Sequence, residues 1–570
     1  MSAPARFAIG RSDFRYFRES GAVYVDKTRF VSGVLSAAAD VLLFPRPRRF
    51  GKTTNLSTLR WFLEKTTEDR SALFEGLAVW SDAAARAHFQ KYPVIFLTFK
   101  DVKALDWKNC RGALAGVLSR AYDEHRYLLD EGALTPSQAA TYSAIIEERA
   151  SDSQLWSSLA TLSQHLARRH GEKVVILIDE YDTPIHASFT HQYEDEVLTF
   201  FRNFLGSALK DNPHLFKGVL TGILRAAKES LFSGLNNLAV YSLARSEFAT
   251  SFGFTEEEVQ RLVGDDAALM EGIRAWYNGY LFGGQVIYNP WSVTNFLASE
   301  DRQFRPYWTA TGSNELLGEI LLRRGAGLRG DLETLLTGGS IEKDLKEDIV
   351  LRQVHSMPDA VWSFLLFTGY LKPLALFNDD RGLHATLSVP NREILLDLED
   401  LVRTFMQVQT GGEVERLLSA LLGGDERTFE HLLSRFLVSS MSYHDPAIRT
   451  PEQVYHAFVL GLLVGLRPRF DVKSNQESGF GRCDLLVLPK SPGEPGIALE
   501  LKTLDTDRGE TVEQALRSAL SQIRDKRYTA ALEERGARPI YEMAAVFDGK
   551  RVWVERRTFP APPPLISSLP

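Results

Sequence analysis

The sequence predicts an α/β protein: a parallel sheet with helices on both faces, then a helical lid, then a smaller second α/β domain. Two features of the first half carry the first part of that expectation. Apolar runs at Val41–Phe44, Pro93–Phe99, Val174–Ile178 and Leu215–Leu220 alternate with helical periodicity at Thr54–Glu64, Trp156–Arg169 and Glu194–Leu209. Continuous apolar strands separated by helices read as a parallel sheet buried on both faces. The chemistry-bearing residues also fall at strand ends, where open parallel sheets bind ligands. At 570 residues the chain exceeds one core, so about three domains are expected.

The first apolar run leads into Phe44–Thr54, FPRPRRFGKTT, with Gly51, Lys52 and Thr53 at the mouth of a helix. Backbone N–H groups and a lysine can hold phosphates there, and a threonine hydroxyl can hold Mg²⁺. Downstream, Val174–Asp182, VVILIDEYD, ends a strand in Asp179 and Glu180, one to complete the metal shell and one to orient water. Arg49, Gly51, Lys52, Thr53, Thr54 and Asp179 are therefore the expected nucleotide-binding residues, with Thr53 and Asp179 on the metal and Glu180 catalytic. Arg46 stands where the usual loop has its first glycine. With less freedom for positive φ the loop path is expected to differ, and Arg46, Arg48 and Arg49 are expected to add positive charge beside the polyphosphate. Thr221 and Arg225 could reach the γ-phosphate or serve structure alone.

From Phe248 the texture changes to charged helices broken by Trp276–Gly284 and Tyr288–Trp291. Phe364–Pro373 and Leu383–Pro390 read as a helix end followed by a hairpin, a winged-helix lid. Glu393–Ser440 is amphipathic helix broken at Gly411-Gly412 and Gly423-Gly424. The aromatic residues Trp276, Tyr277, Tyr280 and Trp291 read first as lid packing, with base stacking as the alternative.

The last region reads as a helix at Glu452–Leu466, strands at Phe470–Lys473, Cys483–Leu488 and Ile497–Leu501, a helix at Thr511–Ala531, and late strands at Ala544–Phe547 and Arg551–Glu555. Alternate residues of a strand share a face, so Glu500 and Lys502 point the same way. With Asp484 from the neighbouring strand, two carboxylates can hold Mg²⁺, and Lys502 can steady charge on a scissile phosphate. Glu452 could add an acidic ligand, and Gln522 and Tyr528 could contact the substrate backbone. The competing reading is a strand-end ion pair between Glu500 and Lys502.

Composition narrows the setting. Two cysteines, Cys110 and Cys483, exclude a disulfide scaffold and a thiolate metal cluster, and fit a reducing cytoplasm. The opening residues lack a signal-peptide core, and the most apolar stretch, Val454–Leu466, is too short to span a bilayer, so no membrane partner is expected. The net charge of −7 disfavours non-specific coating of nucleic acid. Residues 441–570 are nearly neutral, with 18 Lys+Arg against 17 Asp+Glu, which permits a local phosphate-facing groove. His186, His444 and His456 show no metal-ligand spacing.

These motifs resemble a bacterial and archaeal family of predicted AAA-like ATPases fused to a PD-(D/E)xK nuclease-superfamily domain. The likeness runs over nearly the whole chain: Tyr24–Thr28 (YVDKT), Arg46–Thr53 (RPRRFGKT), Leu177–Asp182 (LIDEYD), Thr221-Gly222, Phe232–Asn237, Trp276–Tyr280, Tyr288–Trp291, Thr368–Tyr370 and the C-terminal set. It makes Arg46 a family trait, and it implies a P-loop core, a helical or winged lid and a restriction-endonuclease-like fold. The implied domains are an AAA-like ATPase (1–247), a lid (248–395), a helical linker (396–440) and a nuclease-like domain (441–570). Lys52, Thr53, Asp179 and Glu180 match the nucleotide site; Asp484, Glu500 and Lys502 match the nuclease signature, followed by Gln522 and Tyr528. The expected function is a Mg²⁺-dependent nuclease gated by ATP, acting on DNA before RNA, with homo-oligomerisation left open. The alternatives are an ATP-switched interaction protein that does not cut, and an ATPase with a purely structural C-terminal fold.

Overall fold

The computed structural model describes residues 6–132, 134–224, 232, 235–308, 328, 331–332, 334–347, 360–380, 382–410, 413–440, 455, 459, 462–466, 469–478, 481–504, 509–549 and 551–559. The chain divides into two units, residues 1–311 with 340–397, and residues 312–339 with 398–570.

The first unit is organised by a five-stranded sheet: β1 (Val41–Pro45), β2 (Val94–Thr98), β3 (Val174–Asp179), β4 (Leu215–Gly222) and β5 (Leu238–Val240). The order is β2-β3-β4-β1-β5, and every neighbouring pair is parallel. All six residues of β3 and all five of β1 are buried, as strands covered on both faces require. β5 was not foreseen, because Leu238–Val240 is too short to register as an apolar run. The helices on this sheet are delimited by local chemistry. Ser151 and Gln154 form a capping box for Asp152–His170, which ends at Gly171 with φ 67°. Placing β4 between β1 and β3 brings the end of β4 between the loop after β1 and the acids after β3.

Beyond this sheet lie the strands β6 (Phe254–Thr255), β7 (Tyr280–Phe282) and β8 (Gln285–Tyr288). The expected helix end and hairpin are present as the helix Ala360–Thr368 followed by β10 (Lys372–Asp379) and β11 (Gly382–Ser388); β9 (Ile341–Leu345) adds a third strand beside β11. The aromatic turns pack inward. Tyr277 and Tyr280 are buried, and Trp276 stacks on Phe304.

In the second unit the strands β12 (Phe470–Ser478), β13 (Gly481–Pro489), β14 (Gly496–Thr503), β15 (Ile540–Asp548) and β16 (Arg551–Phe559) form a mixed sheet in that order. Only β14 and β15 run parallel, joined through the helix Val512–Asp525. One face packs under Leu417, Leu421, Phe429 and Leu433 from the helices Glu413–Gly423 and Glu426–Ser440; the other packs under Ala515, Ala519 and Ile523. Gly424, at φ 67°, makes the break between those two helices. The expected continuous helix over Thr511–Ala531 is instead two, Val512–Asp525 and Ala530–Glu534, because Arg527 takes φ 54° and turns the chain so that Tyr528 points inward. Most of the helix expected at Glu452–Leu466, Glu452 included, lies outside the described residues. Among the described residues no helix is long and apolar enough to cross a membrane.

Candidate functional site

The loop after β1 carries the first site. Gly51 takes φ 81° and Arg49 φ 67°, and the helix Lys52–Leu63 starts directly after them. Its N-terminus has no side-chain cap, so its first amides are open to an anion. Lys52 is only 4% exposed, and its Nζ donates to the carbonyls of Arg46 (3.0 Å) and Pro47 (2.9 Å). Burial lowers its pKa, while Glu180, Asp182 and Asp179 oppose that shift. A cation so placed gains on meeting phosphate, which returns the charge that burial disfavours.

Thr53 meets one of the two acids, Asp179. Thr53 Oγ1 donates to Asp179 Oδ2 at 2.8 Å, and Thr221 Oγ1 donates to Asp179 Oδ1 at 2.6 Å. Glu180 sits just beyond β3 at φ 51°, a left-handed position that turns its side chain toward the cavity. Burial raises its pKa and Lys52 pulls it down. Arg225 lies outside the described residues.

A cavity of about 270 Å³ opens beside Lys52, Thr53 and Glu180. Arg49, Gly51, Lys52, Thr53, Thr54 and Glu180 line its polar end. Its apolar lining includes Phe7, Ile9, Phe17, Val25, Phe254 and Trp291. Sequence reasoning assigned no role to the Phe7–Ser12 segment, because an isolated Phe-x-Ile carries no periodicity. Arg49 lies 4.3 Å over the Trp291 ring and donates to the carbonyls of Tyr307 (2.7 Å) and Trp308 (3.2 Å). Of the residues considered for base stacking, Trp291 lines this cavity. YVDKT holds the wall in place: Lys27 donates to both Glu258 oxygens, and Asp26 accepts from Thr28 and from the amide of Ala78.

Arg46 departs from expectation. It is fully buried, lies 5.0 and 5.3 Å from the rings of Phe252 and Phe282, and donates to the carbonyls of Pro45 (2.9 Å) and Tyr241 (2.6 Å). Burial pushes its pKa down to about 9. The guanidinium therefore braces the base of the loop and adds no charge to the cavity. Long reach and five donors let Arg bind carbonyls and rings at a distance from its own backbone.

The second site lies where β13 and β14 part. Their pairing runs from Val487↔Ile497 to Leu485↔Leu499, and at the next position the Asp484 carboxylate accepts the Leu501 amide at 2.9 Å. Glu500 is 3% exposed, and Gln522 donates to its Oε1. Tyr528, 2% exposed, stands 3.5 Å from the Gln522 amide nitrogen. Gln522, expected with Tyr528 to contact the substrate backbone, is thus turned onto the Glu500 carboxylate, with Tyr528 beside it. Lys502 follows Glu500 by two residues on the same face of β14 and is half-buried. Among the described residues no group of three or more His, Cys, Asp or Glu is placed to hold a metal, so a cation here would rest on Asp484 and Glu500. Two hard oxygen donors suit Mg²⁺, which keeps several of its own waters.

Residues 8–232 match the family model described as a predicted AAA-ATPase. Residues 450–557 match the model of the PD-(D/E)XK nuclease superfamily. A relative from Azotobacter chroococcum mcd 1, described as an uncharacterized protein in the vnfD 5′ region, is 29% identical over 568 residues, 95% of this chain and 96% of that one. Among solved structures, the Aeropyrum pernix ORC2 protein (ADPNP-ADP complexes) matches 71% of this chain and 96% of its own, at 12% identity and a TM-score of 0.26.

Proposed function

The chain carries an AAA-ATPase-like domain and a PD-(D/E)XK nuclease superfamily domain, and from that premise we propose an ATP-binding protein whose C-terminal site hydrolyses phosphodiester bonds in nucleic acid, DNA before RNA, under control of the bound nucleotide. The observation that carries the nucleotide half is the Thr53–Asp179 hydrogen bond, which joins residues 126 positions apart from two independent motifs.

The amides opening the helix Lys52–Leu63 and the Lys52 ammonium hold the phosphates; Lys52 leaves the Arg46 and Pro47 carbonyls to do so. Thr53 and Asp179 hold Mg²⁺, which neutralises phosphate charge when bound. Glu180 orients water at the cavity mouth. The base lies against Phe7, Ile9, Phe17 and Trp291, where flat apolar and aromatic walls favour a ring.

At the second site Asp484 and Glu500 hold Mg²⁺, which supplies a Lewis acid beside the scissile phosphate when bound. Gln522 fixes the Glu500 carboxylate, and Lys502 steadies charge developing on the phosphate. The cytoplasm is the setting that fits two free cysteines.

The experiment is a cleavage assay with single- and double-stranded DNA and RNA, with Mg²⁺ or Mn²⁺, with and without ATP. DNA cleavage that needs metal and responds to ATP is expected; absence of cleavage in every arm overturns the nuclease half. One observation favours a second reading, an ATP-switched interaction protein: Glu500 is almost wholly buried and already engaged by Gln522. Metal-independent retention of nucleic acid or protein without cleavage is its signature.

A further inference from the structure

The nucleotide reading assigns no role to Asp182, the acid that ends IDEYD. It precedes the helix Thr183–Thr190 and is 2% exposed. Its Oδ2 accepts the amides of Ile223 (2.7 Å) and Leu224 (3.0 Å), and His186 Nε2 lies 3.4 Å from the same oxygen. Burial works to raise its pKa, but His186 and the two amides outweigh that and hold it below the ordinary carboxylate value.

Both amides that the Asp182 carboxylate accepts belong to the chain leaving β4. Tyr181, fully buried between Glu180 and Asp182, reaches the same stretch: its hydroxyl donates to the Leu224 carbonyl at 2.7 Å and its amide donates to the Thr221 carbonyl at 3.1 Å. Gly222 makes the approach feasible. A Cβ there would lie 2.6 Å from Tyr181 Cε1 and 2.8 Å from Asp182 Oδ1, closer than atoms tolerate. From the opposite side the Arg46 amide donates to the Gly222 carbonyl at 3.0 Å. The end of β4 is therefore clamped between the acid motif and the root of the phosphate loop, and Thr221 within it donates to Asp179.

We propose that Asp182 is a positioning residue for nucleotide hydrolysis: by gripping Ile223 and Leu224 it seats the Thr221 hydroxyl on Asp179 and so fixes the orientation of the metal-side carboxylate. The proposal rests on the P-loop reading of Lys52, Thr53 and Asp179. Asp182 touches neither nucleotide nor metal; it acts through Thr221.

The test compares Asp182→Ala, Asp182→Asn, Gly222→Ala and Tyr181→Phe in the full chain, with MgATP affinity by calorimetry and steady-state hydrolysis read separately. Asp182→Ala and Gly222→Ala should lower kcat about tenfold to a hundredfold with ATP affinity nearly unchanged, the scale expected when a catalytic group is held out of register. Asp182→Asn keeps an oxygen that accepts both amides and should recover most of kcat. A merely structural role would lower binding and turnover together and show no rescue. Wild-type turnover in Asp182→Ala, or equal loss in the Ala and Asn variants, overturns the proposal. If Asp182→Ala does not fold, Tyr181→Phe decides, because it removes the hydroxyl bond to the Leu224 carbonyl, a second hold on the stretch that Asp182 grips; unchanged kcat there overturns the proposal. A wild type that binds no MgATP fails the P-loop reading first, and one that binds without hydrolysing overturns the proposal while leaving that reading of binding intact.

Discussion

Glu393 offers the most quantitative test of the first unit. Its carboxylate is fully buried at the head of the helix Arg392–Thr410, accepts the Trp308 amide at 2.6 Å, and accepts the Ser292 hydroxyl at 3.0 and 2.8 Å. Burial raises its pKa from the ordinary 4.5 to about 7, against the opposing pull of those bonds. Between these values the folded state binds the proton and the unfolded state does not. The stabilisation is thus complete below about pH 4.5 and lost as pH rises through about 7. At about 1.4 kcal/mol per pH unit the loss is ~3 kcal/mol. Glu393→Gln keeps shape and an acceptor oxygen but cannot ionise. Its stability relative to wild type should therefore climb by most of that amount between about pH 5 and pH 8. The measurement is urea unfolding of both proteins across this range, following the transition that MgATP shifts. A stability difference independent of pH would refute the burial argument. The same variant should keep ATP affinity at neutral pH, since Trp308, which accepts Arg49 through its carbonyl, stays tethered through the Gln oxygen.

Three further outcomes follow from the sites. Lys52→Ala should abolish MgATP binding in a calorimetric titration, while Glu180→Gln should bind normally and hydrolyse slowly; equal affinity in wild type and Lys52→Ala refutes the loop assignment. Asp484→Ala and Glu500→Ala should each eliminate metal-dependent cleavage. Lys502→Ala should retain metal binding but lose rate, since its role lies in the transition state; ATP hydrolysis should survive all three. Arg46→Gly, which restores the more usual glycine, should destabilise the first unit by on the order of 3 kcal/mol and not improve ATP binding, because it empties a buried space between Phe252 and Phe282. Thermal unfolding with and without MgATP measures both effects.

Much of this protein was legible in one dimension. Apolar runs such as Val174–Ile178 are buried over their whole length, and such runs separated by helical periodicity have few solutions other than a covered parallel sheet. The pairing of GKT with IDE was legible because a phosphate site needs a helix N-terminus, a cation and acids, each with its own local signature. Glu500 and Lys502 shared a face by strand alternation alone.

What the linear chain could not encode in local pattern were relations set by strand order and by long side chains. Arg46 read as phosphate-facing charge because its neighbours are charged; only the packed aromatic shell of Phe252 and Phe282, more than 200 residues away, turns it inward. The role of Asp182 depends on β4 lying beside β3, since its partners Ile223 and Leu224 are about 40 positions distant. In the second unit, the inward turn of Tyr528 needed Arg527 at positive φ, a conformation that an arginine in the sequence does not announce. Sequence periodicity thus determined the long strands of the first sheet and which chemistry-bearing residues fall at strand ends. Tertiary packing decided which charged groups face the cavity and which brace it, because burial of a long polar side chain depends on neighbours brought together only by the fold.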